Sequence, residues 1–180
     1  MTLEPDNDDH QAGDATPSDE LYLALGTLVF NFGLLEEALR HGLLAAFDNS
    51  DDARLVLTGL SFRQLVERFG AIHARFRYEP GGALGVAPLC AMLGKLNEER
   101  NREIHATWGF WADSGHPVRT RERIVPNAGL SLAMESVSPA VLVDLSKRML
   151  DATDLVWQVR LDFARQRRPA IGDHDTADGL

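Results

Sequence analysis

Cysteine is almost missing from this chain of 180 residues. Cys90 stands alone, which excludes a disulfide framework and a cysteine-built zinc site. Long apolar runs are missing too: none approaches the ~18 residues of a membrane-crossing helix, so no transmembrane helix is expected. The first residues are acidic rather than basic and then apolar. That excludes a secretory leader of the usual kind and makes a cytoplasmic protein the default expectation. A glycine-rich phosphate loop is also absent, since Gly81-Gly82 follows Pro80 and lacks the lysine of a P-loop. Finally, residues 1–20 contain no lysine or arginine at all.

What remains is the composition of an ordinary soluble domain, 44% hydrophobic and 25% charged. The length suits one domain, and a body of about 150 residues buries roughly 70% of its unfolded surface without a staple. The formal charge of −9 is unevenly placed: seven acids fall in residues 1–20 and three more in 173–180. Ten of 27 acids therefore sit in the tails, leaving 17 in the body against all 18 bases. An acidic total does not exclude a nucleic-acid partner here. The tails, 1–18 and 169–180, lack the apolar residues needed to offset ordering and are expected to be disordered arms. Such an arm is either a solubilising tail or a mimic of nucleic acid that covers a basic site.

Periodicity predicts an all-α body over residues 19–168, a four-to-five-helix bundle carrying a small β insertion. Leu21, Leu25, Leu28, Phe32, Leu35 and Leu39 recur at steps of four and three, so a helix is expected over about 19–47, capped by Ser18. Asp48-Asn49-Ser50 ends it. A second helix is expected over about 52–77, and Pro80-Gly81-Gly82 breaks the chain after it. A third, over about 84–106, carries Leu89, Leu93 and Leu96. Residues 107–136 change character: Asp113-Ser114-Gly115 and Asn127-Ala128-Gly129 are turn signals between alternating stretches, which predicts two or three antiparallel strands. Ser138 and Pro139 then open a last helix with Leu142, Leu145, Met149, Val156 and Phe163 on one stripe.

Past Leu96 the third helix turns polar and reads Arg100-Asn101-Arg102-Glu103-Ile104-His105. Its seam, projected forward, places Arg100 where a leucine is expected, and departures of that kind gather at functional sites. Asn101 and His105 lie four apart, on one helical face. The three residue types suit a phosphodiester. Arginine is a charged bidentate phosphate donor, histidine titrates near neutrality and can relay the proton of a ribose 2′-hydroxyl, and asparagine can orient either. No metal or other cofactor is required. With 16 Arg and 6 His, about half a chance match to Arg-x4-His is expected, and Arg68 to His73 is a second one. Requiring Asn after the arginine lowers the expectation to roughly 0.02.

Arg100-Asn101-x3-His105 resembles the signature of HEPN-domain proteins (higher eukaryotes and prokaryotes nucleotide-binding). These are compact helical bundles, many of them metal-independent endoribonucleases of toxin–antitoxin and phage-defence systems. The resemblance implies RNA or a nucleotide as partner, a homodimer, and an antitoxin or defence-system protein as a further partner. It also implies Arg100 as phosphate and transition-state stabiliser, Asn101 as positioning residue and His105 as general acid/base. The competing reading is a non-catalytic helical interaction module, an antitoxin or adaptor, whose acidic tail binds a partner.

Weaker signals surround this one. Arg119, Arg121 and Arg123 alternate on an expected strand near Trp108 and Trp111, either as an RNA-binding surface or as a solvated sheet face. Glu36 either reaches a neighbouring helix or pairs with Arg40 four residues on. His41 and His73 lack a second ligand at metal-binding spacing.

Overall fold

Hydrophobic stripes that recur every three or four residues can be buried only against one another, and the fold follows from that. The computed structural model describes residues 16–76, 85–125 and 129–167. Apart from Thr16, Pro17 and Ser18, the two expected acidic arms lie outside the described residues, as does the Pro80-Gly81-Gly82 break. The chain is mainly helical: α1 (Pro17–Ala46), α2 (Asp51–Leu57), α3 (Phe62–Arg75), α4 (Val86–Ile104) and α5 (Pro139–Arg167). A three-stranded antiparallel sheet precedes the last helix, with β1 (Thr107–Phe110), β2 (Pro117–Val125) and β3 (Gly129–Ser136) in spatial order β1-β2-β3.

The helix ends show why these segments form. Thr16, not Ser18, caps α1: its hydroxyl accepts from the Asp19 backbone N–H, the Asp19 carboxylate accepts from that of Thr16, and Pro17 takes the first helical position. The helix stops where Asp48 and Asn49 adopt positive φ, a conformation that short polar side chains tolerate. The expected second helix is in fact two. Gly59, at φ +79°, turns the chain after α2, and Ser61 opens α3 with its own capping box to Gln64.

The core consists of Leu28, Leu35 and Leu39 of α1, Leu65 and Phe69 of α3, Leu93 of α4 and Met149 of α5, all fully buried. α1 and α5 run parallel. The Asn31 amide donates to the Ser146 carbonyl and hydroxyl at 3.2 and 2.8 Å, and ten residues on, the His41 and Trp157 rings lie 5.7 Å apart. Gly42 lets Phe69 pack directly on the α1 backbone: a Cβ there would come within 2.9 Å of the ring.

α1 also departs from expectation. By length and composition it is a helix long and apolar enough to cross a membrane, contrary to the reading of its sequence. One face of it is core, yet Tyr22, Leu23, Val29, Phe30 and Leu34 on its other side are exposed.

Candidate functional site

The polar end of α4 is held in place from the sheet side. Glu103 is 5% exposed and Arg119 of β2 is 8% exposed, and the guanidinium donates to both carboxylate oxygens of Glu103. Its other terminal nitrogen donates to Glu135 of β3. Arg121 lies 3.6 Å from Glu135. The Trp108 indole N–H donates to the Glu103 carbonyl at 2.9 Å. These contacts fix the last turn of α4 against the first turns of the chain beyond it, and His105 lies between the two. The bond from Arg119 also holds the Glu135 carboxyl below the usual carboxylate range.

The two parts of the expected motif sit differently within this frame. Arg100 is half-buried. Its guanidinium lies over the Phe32 ring of α1, 4.3 Å from the centroid, and Nη1 donates to the Asn101 side-chain oxygen at 2.8 Å. Its Nε is buried without a partner. No carboxylate pairs with it among the described residues, whereas Arg40, Arg119, Arg121 and Arg148 each meet at least one. Arg160, stacked on Trp157 at 4.7 Å, is the other half-buried arginine without an acid among the described residues. Arg102, one turn-step from Arg100, is exposed and also unpaired among the described residues.

His105 is exposed and sits just past the helix, as its C-cap. Its backbone N–H donates to the Asn101 carbonyl at 3.1 Å, and its imidazole makes no hydrogen bond among the described residues. Sequence spacing expected Asn101 and His105 to stack on one helical face. Instead, the Asn101 amide is engaged by Arg100, and the imidazole stands free at the helix end. The end of α4 thus carries one half-buried cation and, five residues on, one accessible imidazole.

The other candidate residues divide clearly. Arg119 is not presented to solvent as a strand-face cation would be, because its charge is spent on Glu103 and Glu135. Arg121 is half-buried beside the same acids, and the Arg123 side chain lies outside the described residues. Trp108 is committed to Glu103, and Trp111 donates to Ser136 at 2.9 Å. Glu36 pairs with Arg40, which also donates to the Leu57 carbonyl at 2.7 Å and so ties α1 to the end of α2. His41 bonds Glu37 at 2.9 Å. In the chance repeat Arg68 to His73, the histidine is 1% exposed and bonds the Phe69 carbonyl at 2.7 Å; burial pushes its pKa down. That repeat is structural.

The sequence reading missed Glu103. Its partner lies 16 residues away, across a helix-to-strand turn, and only the charge at a position next to the projected seam hinted at it. Four surface clefts, among them one of about 400 Å³ between α2 and α3, are lined by other residues than Arg100, Asn101 and His105. No group of three His, Cys, Asp or Glu side chains placed to hold a metal occurs among the described residues. No family model, curated protein or solved structure matches this chain.

Proposed function

We propose that the protein is a HEPN-like RNA- or nucleotide-binding protein acting as a metal-independent endoribonuclease, of the kind found in toxin–antitoxin and phage-defence systems. The observation that carries this reading is the state of Arg100: a half-buried guanidinium with a neutral amide and an aromatic ring for neighbours, and no acid. A desolvated cation without a counterion is costly, and an incoming phosphate removes the cost. Placed five residues away, with its ring free, His105 supplies the acid/base group.

In the proposed reaction the ribose 2′-oxygen attacks the adjacent phosphorus and the bond from phosphorus to the 5′-oxygen breaks. His105 takes the 2′-hydroxyl proton and delivers it to the leaving 5′-oxygen. Arg100 stabilises the charge that builds on the phosphoryl oxygens. Asn101 acts as a positioning residue, its side-chain oxygen holding Nη1 of Arg100. The products are a 2′,3′-cyclic phosphate and a 5′-hydroxyl. The test is cleavage of a mixed-sequence oligoribonucleotide in EDTA, with both product ends identified. His105→Ala and Arg100→Met each abolish cleavage while leaving the melting temperature close to that of the parent. Cleavage that survives both substitutions overturns the assignment.

A further inference from the structure

We infer that the cleft between α2 and α3 binds a free amino acid with a large apolar side chain, its carboxylate on Arg68 and its ammonium group on Asp52. The inference stands apart from the ribonuclease reading. The cleft opens beside Phe47, just past the end of α1. Phe47 follows Phe32, the ring under Arg100, by fifteen residues, so the two places lie about 22 Å apart along α1 at ~1.5 Å per residue.

The cleft exists because α2 stands off the body. This short helix holds Leu55, Val56 and Leu57 in succession, and only Leu57 is buried. Ser50 caps one end, Gly59 turns the chain beyond the other, and Arg40 holds the Leu57 carbonyl at 2.7 Å. These contacts fix the ends of α2, and a cleft remains between its side and α3. The space is about 400 Å³, within the ~300–1,000 Å³ usual for small-molecule sites. Its apolar wall is Phe47, Val56 and Ile72; Phe47 is 47% exposed and Val56 61%. Large apolar side chains left in water around one concavity mark a place that a ligand covers.

Two charges of opposite sign line the same cleft. Asp52 and Val56 lie one turn apart on α2, and Arg68 and Ile72 one turn apart on α3, so each helix presents one charge beside one branched apolar residue. The adjacent charges are engaged within their own helices: Asp51 faces Arg54 at 3.8 Å, and Glu67 faces Arg63 at 3.6 Å. Asp52 and Arg68 have no ion-pair partner among the described residues and are too far apart to pair with each other.

That combination selects the ligand. A neutral apolar molecule would strip water from both charges and pair neither, which is costly. An apolar acid would satisfy Arg68 and set a second anion near Asp52; an apolar amine would do the reverse. An apolar amino acid satisfies both. Its carboxylate accepts from the guanidinium, its ammonium group donates to the Asp52 carboxylate, and its side chain covers Phe47, Val56 and Ile72.

The experiment uses the full chain, with affinities from ligand-observed NMR, which reads binding at millimolar concentration. The probes are phenylalanine, leucine and tryptophan, with phenylalaninamide, which lacks the carboxylate, and N-acetylphenylalanine, which lacks the ammonium group. Phenylalanine is expected to bind, and each of its two derivatives roughly tenfold or more weakly. Arg68→Gln weakens phenylalanine by a similar factor and leaves phenylalaninamide as it was. Asp52→Asn weakens phenylalanine likewise and leaves N-acetylphenylalanine as it was. Both residues are exposed, so the circular dichroism of each variant stays that of the parent. Arg100→Met binds phenylalanine as the parent does. Failure of all three amino acids to bind, derivatives that bind as tightly as phenylalanine, or parent-like affinity in either Arg68→Gln or Asp52→Asn overturns the inference.

Discussion

Replacing Glu103 with alanine removes the acceptor at the centre of the contact between α4 and the sheet. The side chains of Glu103 and Arg119 are 7% and 9% exposed, so the arginine cannot regain solvent when its partner goes. Removing one member of a buried ion pair costs about 3–5 kcal/mol. Arg119 keeps its bond to Glu135, which is itself about half exposed, so the low end, about 3 kcal/mol, applies. For a chain of this size that lowers the melting temperature by roughly 6–12 °C. The same contact frames His105, so the proposed cleavage would fall as well, through kcat more than KM. Thermal melts of Glu103→Ala, Arg119→Met and the double variant Glu103→Met/Arg119→Met separate the terms. Both single variants are strongly destabilised, and the double variant recovers most of the loss because a packed apolar pair replaces a packed ionic one. A Glu103→Ala melt within about 2 °C of the parent would refute the reasoning.

Two further outcomes follow from the packing. Gly42→Ala drives a methyl group against the fully buried Phe69 ring and destabilises the fold by about 1–3 kcal/mol, measurable by urea titration; a neutral result would mean that the ring is free to move. Acid weakens the fold in two separate windows. His73 has its pKa depressed by burial, so the unfolded chain takes up a proton first. Its contribution is complete above about pH 6.5 and is lost as pH falls from there through the folded value. Glu99 and Glu135, held below the usual carboxylate range by hydrogen bonds from Arg148 and Arg119, contribute fully above about pH 4.3 and lose that contribution below it. His73→Leu removes the upper window from a melting-temperature series in pH and keeps the lower; an upper decline that persists in the variant would refute the assignment.

The stripes of α1, α4 and α5 were legible because a helix writes its buried face at every third or fourth position, and Ser138-Pro139 marks the start of α5 outright. The break between α2 and α3 escaped the reading because a lone glycine inside a helical pattern, here Gly59, is tolerated and does not by itself mark an end. The capping box Ser61-x-x-Gln64 was the overlooked signal, and Thr16-x-x-Asp19 the same kind of signal two helices earlier. Arg100 stood out as an arginine on an apolar seam, and it does lie against the core, over Phe32. Its lack of an acid was not legible, because pairing depends on neighbours from other elements. For the same reason Arg119 looked like an exposed strand cation: alternation gives the face of a strand, not what covers it. α1 is apolar nearly all round, so its periodicity found the core side and concealed the exposed one.

The central claim is that Arg100 is a cation waiting for a phosphate, and binding of a 2′-O-methyl oligoribonucleotide, which cannot be cleaved, measures it directly. Fluorescence anisotropy across a salt series should show binding by the parent and by His105→Ala alike. Arg100→Met should bind at least tenfold more weakly, with a slope of log affinity against log salt smaller by about 0.7, the loss of one phosphate contact on a single strand. Equal affinity and equal slope for the parent and Arg100→Met would contradict the claim.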